Sequence, residues 1–120
     1  VIVLFNFLFR IICNELLAFV VVVIAFGARA GEDLLHVVAG NVLIEALRNV
    51  SGTRLIVVGG AGSLFTDESQ TLLVKDAPGF PDFVYPTANN QGKNLEILRG
   101  TSDLNWTFIS PSAEFALGKR

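Results

Sequence analysis

The run Phe19-Val-Val-Val-Val-Ile-Ala25 is apolar at every position. A strand with one wet face alternates polar and apolar residues, so a run without alternation needs cover on both faces. An inner strand of a parallel sheet, packed between helices, meets that requirement. Arg54-Leu-Ile-Val-Val58 repeats the pattern, and Trp106-Thr-Phe-Ile109 supplies a third candidate strand.

The segments between these strands read as helices. Leu34, Leu35, Val38, Val42, Ala46 and Leu47 recur at three- and four-residue spacing. They give one apolar face to a helix that Asp33 is expected to cap and that runs to about Asn49. Pro86 and Thr87 open a second helix that ends at Gly100, with Leu95, Ile97 and Leu98 available for packing. Between them, Ser63–Val84 holds Pro78, Gly79 and Pro81 and reads as a long irregular stretch, with Leu72–Val74 a candidate short strand. Strand, helix, strand, loop, helix, strand implies parallel pairing with right-handed crossovers, an α/β class.

In such sheets ligands bind beyond the carboxyl ends of the strands. Three loops fall there: Gly27–Gly31, Gly59–Ser63 and Ser110–Phe115. The first two are small and glycine-rich, which permits a flat ligand to approach the backbone. Glycine that merely ends a strand is the competing explanation; coincidence of the loops on one edge favours a site.

Residues 1–26 require a separate decision, since they are strongly apolar. The uncharged run Leu16–Ala28 is shorter than the roughly 20 residues that span a bilayer. Ala28-Arg29-Ala30 resembles a cleavage site, but the basic residue that opens a signal peptide is missing. A small membrane-associated protein working through residues 1–26 is the minority reading. Val1–Phe7 is a candidate strand and Phe9–Leu17 a candidate short helix. Net charge is −2 with an isoelectric point near 5.2, which gives nucleic acid no basic surface to bind. Cys13 is the single cysteine. It excludes an internal disulfide and a multi-cysteine metal site, and it points to a reducing, cytoplasmic setting.

One motif tempts and fails. Arg54–Phe65 looks like a phosphate loop, which needs a third glycine and an apolar helix whose N-terminus holds the pyrophosphate. Phe65 stands where that glycine belongs, and Asp67 and Glu68 follow where phosphate would sit. No Gly-x-Ser-x-Gly elbow and no paired His/Cys spacing for zinc is present. His36, inside an apolar helix, reads as a packed or exposed helix residue. Asp67, Glu68 and Asp76 read as solvated loop charges.

Four stretches carry a resemblance: residues 20–27, residues 54–64, Tyr85-Pro-Thr-Ala with Lys93, and residues 106–115. In this order and spacing the chain resembles the atypical short-chain dehydrogenases of the NAD(P)H-binding, NmrA-like group, and among these the NADH–flavin reductases. The resemblance implies a partial Rossmann-like domain over residues 1–120, the C-terminal half of a nucleotide-binding fold. It implies that Ala25, Phe26 and Gly27 lie beside the cofactor's ribose and nicotinamide. Gly59 and Gly60 belong to the loop that ends in Ser63, where relatives place a serine near the reacting carbon. Lys93 matches the lysine that holds the ribose hydroxyls, and Ser110, Pro111, Ser112 and Ala113 match the segment that meets the nicotinamide amide. The cofactor implied is NAD(P)H, with FMN or FAD as acceptor.

The departures bear on function. Asn89 replaces the tyrosine expected four residues before the lysine, and Tyr85 is eight residues from it. A flavin acceptor needs less proton donation from the protein than a ketone does, which agrees with the loss. The family's glycine-rich phosphate loop is absent from these residues, and residues 1–15 match it poorly. Together with Val1 in place of a methionine, this leads us to expect a piece of a longer protein, with a dinucleotide and a small acceptor as the parent's ligands. On its own the chain is expected to bind NAD(P)H weakly or not at all, and to self-associate through its exposed apolar edge. A non-catalytic NAD(P) sensor is the alternative that the NmrA-like resemblance also permits.

Overall fold

The computed structural model describes residues 21–29, 31–48, 50 and 52–114. The readings made for Val1–Phe7 and Phe9–Leu17, and nearly all of the membrane reading of residues 1–26, fall outside these residues. Among the described residues no helix is long and apolar enough to cross a membrane.

The elements are β1 (Val21–Ile24), α1 (Leu35–Leu47), β2 (Arg54–Val58), 3-10 turns at Ala61–Ser63 and Val74–Asp76, α2 (Tyr85–Arg99) and β3 (Asn105–Ile109). The three strands form one sheet in the order β1-β2-β3. Both pairings are parallel, with Val22 opposite Leu55 and Leu55 opposite Trp106. This is the parallel α/β sheet flanked by helices that the unalternating runs require.

The register decides which face is dry. Leu55 and Val57 of β2, Leu43, Ile44 and Leu47 of α1, and Leu98 of α2 make one buried cluster. Val22, Ile24, Trp106 and Phe108 pack against it from the neighbouring strands, so both helices cover the same face of the sheet. The other face presents Val21, Val23 and Ile109, which are 43%, 60% and 46% exposed. The unalternating sequence anticipates cover on two faces; the described residues provide it on one.

The helices meet closely where α1 crosses α2. A Cβ on Gly40 would stand 2.1 Å from the Asn94 side-chain oxygen, so only glycine permits this approach. Two details differ from expectation. The helix does not start on an Asp33 cap: Leu34 occupies that position without a side-chain bond. The Asp33 carboxylate instead accepts the Thr87 hydroxyl at 2.5 Å, so a tertiary partner on α2 takes the oxygen a cap would use. Leu72–Val74 is no regular strand. Leu73 forms an isolated antiparallel bridge with Phe65, and Val74 begins a 3-10 turn.

Leu98 is fully buried and Phe83 is 86% exposed. Leu98→Ala is expected to lower unfolding free energy by about 2–5 kcal/mol and Phe83→Ala by no more than about 0.5 kcal/mol. Urea denaturation of the two variants checks the contrast.

Candidate functional site

Parallel strands end together. The carboxyl ends of β1, β2 and β3 therefore deliver the loops 25–29, 59–63 and 110–114 to one edge. All ten residues expected to touch the cofactor, apart from Lys93, lie in these loops.

Two of the loops are joined. The Ser63 hydroxyl donates to the Gly60 carbonyl at 3.1 Å, and its oxygen stands 2.8 Å from the Ser110 hydroxyl oxygen. A hydroxyl has one proton. With the Ser63 proton given to Gly60, Ser110 is the donor of the pair. The backbone N–H of Gly59 donates to the Ile109 carbonyl at 2.9 Å, which carries the β2–β3 ladder one residue beyond the strands.

Gly59 and Gly60 differ in what enforces them. A Cβ on Gly59 would fall 2.2 Å from the Phe108 ring, which packs against the core. A Cβ on Gly60 would meet the amide oxygen of Gln91 at 2.6 Å, the far end of a flexible side chain. Gly59 is held to glycine by the core, whereas Gly60 leaves the edge open for another group.

The first loop reaches the same region through Phe26. Its ring meets the His36 imidazole edge-on, with centroids 5.3 Å apart and planes at 76°. Both rings line a cavity of about 20 Å³ with Gly59, Gln91 and Asn94. His36 is 5% exposed, and its Nε2 has no hydrogen-bond partner among the described residues. Burial holds its pKa below the ordinary 6.5, partly opposed by the nearby Asp33 carboxylate. The packed reading of His36 describes its position.

A larger cavity, about 580 Å³, opens between the Gly60–Gly62 turn, Ser112 and Ala113, the first turns of α2, and the loop 77–84. A third cleft of about 850 Å³ lies along the other flank of α2. Lys93 stands there, exposed, together with Asn89 and Ser63. Lys93 thus shares a wall with Ser63 but not with Gly59, Gly60, Ser112 or Ala113.

Of the α2 side chains at the edge, which include Thr87, Ala88 and Asn94, Gln91 is shared between the two cavities. It lines both the cavity containing Phe26 and Gly59 and the one containing Gly60 and Ser112. Sequence reasoning missed it. Its spacing from Ala88 and Leu95, both on the buried face, was the available signal.

Tyr85 does fall within α2, in its first turn. Its hydroxyl donates to Asp76 at 3.4 Å, and the Lys75 ammonium lies 5.4 Å from its ring. Lys75 also bonds both Asp76 oxygens, at 2.8 and 2.9 Å; these bonds, with some burial working against them, raise its pKa. Asp76, read from sequence as a solvated charge, is the centre of this cluster.

No family model matches the chain. It is 50% identical, over 93% of its length, to the uncharacterized protein YwnB of Bacillus subtilis, and covers 53% of it. A crystal structure named "a putative NADH-flavin reductase", from Streptococcus pneumoniae, is 40% identical with a TM-score of 0.77; the match covers 87% of this chain and 50% of that one. A "putative exported protein" from Burkholderia pseudomallei is 31% identical with a TM-score of 0.75, over 90% of this chain and 52% of that one.

His36 is the single histidine. A pKa lowered on folding means that the unfolded chain takes up the proton first as pH falls. The stability is present above the unfolded value of 6.5 and is lost as pH drops from there through the folded value. Between about pH 7.5 and 5.5 the melting temperature is expected to fall, and His36→Leu to flatten that slope. Thermal melts across the range check it; an unchanged slope in the variant contradicts it.

The chain spans about half the length of the relatives it matches, and its described residues have the Rossmann-like α/β architecture of that half.

Proposed function

We propose that the chain is the nicotinamide-side half of an NAD(P)H-dependent reductase domain, of the atypical short-chain, NmrA-like type, that serves a flavin or similar flat acceptor. The observation that carries this reading is the bonding of the Gly59–Ser63 loop to Ser110 beyond the sheet's carboxyl edge. Likeness to the pneumococcal protein named "a putative NADH-flavin reductase" supports it.

The residues present suit one end of a dinucleotide. Small groups and hydroxyls occupy the edge at Gly59, Gly60, Ser63, Ser110 and Ser112, so a flat ring can lie against backbone. The Gly59-Gly60 turn opens only a 3-10 turn, and α1 begins just after the acidic Glu32 and Asp33, so neither offers the diphosphate a seat of the kind such folds use. When bound, the nicotinamide supplies a hydride, and the protein supplies binding and orientation. Ala25, Phe26 and Gly27 flank the ring on the β1 side. Pro111, Ser112 and Ala113 face its amide, and Lys93 reaches the ribose from its cleft. The lone Cys13, which permits no internal disulfide, supports a cytoplasmic setting for this chemistry.

Ser63 positions and does not donate. Its proton is committed to the Gly60 carbonyl, and neither of its partners is a base. With Asn89 in the place of the family's tyrosine and the Tyr85 hydroxyl turned to Asp76, no described tyrosine serves the site as a proton donor. An acceptor that takes its proton from solvent suits that arrangement. A non-catalytic sensor has the same features, and turnover separates the two.

The test is NADH oxidation with added flavin by a protein of the relatives' full length containing this segment. Reduction of the flavin is expected. Ser63→Ala is expected to raise KM for NADH about fivefold, the loss of one hydrogen bond, with kcat within about twofold. Binding of NADH without turnover of any flavin selects the sensor. A fall in kcat of about a hundredfold or more makes Ser63 a catalytic group.

A further inference from the structure

The cavity of about 580 Å³ beside the Gly60–Gly62 turn is in the range of small-molecule sites, roughly 300–1,000 Å³. No residue that lines it carries a charge at neutral pH. The Asp33 carboxylate lies behind Thr87, which lines the cavity, and would repel an anion. Lys75, Asp76, Lys93, Glu96 and Arg99 all line the neighbouring cleft, and Lys75 is neutralised by Asp76. A phosphate or carboxylate brought into the uncharged cavity would lose water and gain no cation, which disfavours it strongly.

The polar groups of the cavity narrow the ligand further. Thr87 gives its proton to Asp33, and Ser112 gives its own to the Glu114 carbonyl. The Gln91 side chain is half-buried and makes no hydrogen bond to another described residue. Its amide therefore offers one acceptor and two donors side by side. The complement of a primary amide is a carbonyl next to a ring N–H, which bonds both of its ends at once.

We propose that this cavity is the acceptor site of the reductase and that it selects an uncharged planar heterocycle with a lactam or imide edge, paired to the Gln91 amide. The proposal rests on the reductase reading and adds to it the acceptor's charge and its recognising residue. A flavin ring enters as the bare heterocycle; the phosphate of FMN is an obstacle to be held outside. Apolar side chains of the loop, Phe80, Pro81 and Val84, supply the other wall.

Three probes share one ring and test the two halves of the claim. Lumiflavin is uncharged with a free imide, its N3-methyl derivative has that N–H blocked, and FMN carries the phosphate. Their binding to the 120-residue chain is followed by quenching of flavin fluorescence. Lumiflavin is expected to bind about tenfold or more tighter than FMN and about fivefold tighter than the N3-methyl form. In Gln91→Leu, its fold checked by circular dichroism, the preference for lumiflavin over the N3-methyl form disappears while that over FMN remains. FMN binding as tightly as lumiflavin overturns the proposal, as does a preference for the free imide that survives in the variant. If the variant does not fold, the comparison of the three probes on the unaltered chain still decides. Titration of NADH into a protein of the relatives' full length containing this segment keeps the two readings apart. NADH binding there without lumiflavin binding to the chain leaves the reductase reading standing and sinks this one. Lumiflavin binding without NADH binding leaves the ligand of the cavity standing and sinks its role as an acceptor site.

Discussion

Parallel pairing of β1, β2 and β3 is the constraint from which the rest follows. Antiparallel neighbours would send successive loops to opposite ends of the sheet; parallel ones send all of theirs to the same end. Each return then needs a crossover, and α1 and α2 are those crossovers. Because the strands follow one another in sheet order, both helices fall on one face and share one core built on Leu47, Leu55 and Leu98. The edge where Ser63 meets Ser110 is thus a consequence of strand direction, and it rests on that core through Phe108.

That core also explains which edge residues are free to vary in role. Gly59 sits against Phe108 and belongs to the packing. Gly60, one residue later, faces a movable Gln91 amide and belongs to the site. Phe26 spans both, since its ring touches His36 within the helix layer while its loop extends beyond β1. Placing the first loop's aromatic ring on a buried, neutral imidazole ties the position of that loop to α1, and through Gly40 and Asn94 to α2.

Much of this architecture was legible in the chain itself. β2 has the span that its apolar run suggests, and α2 ends beside Gly100, because both signals are local: unbroken β-branched residues, and glycine after a helix. The Asp33 cap and the Leu72–Val74 strand were not legible, because each was decided by a distant partner, Thr87 in one case and Phe65 in the other. Dryness on both faces of β1 and β2 was read from composition, yet Val21 and Val23 stand exposed. Apolar sequence records that a face needs cover, not what provides it. At the site, the glycines and serines announced themselves through strand ends. Gln91 did not, since one polar residue on a mostly polar helix has no pattern to mark it. The Ser63–Ser110 bond joins residues 47 apart and could be seen only once the strands were paired.

The central claim is that three loops far apart in sequence form one nicotinamide-binding edge, and amide hydrogen exchange tests it most directly. Saturating a protein of the relatives' full length that contains this segment with NADH should slow exchange in residues 25–29, 59–63 and 110–114 together. The exposed segment 66–72 should be left unchanged. Protection confined to one loop, or spread through 66–72 with none at 59–63 and 110–114, would contradict the account.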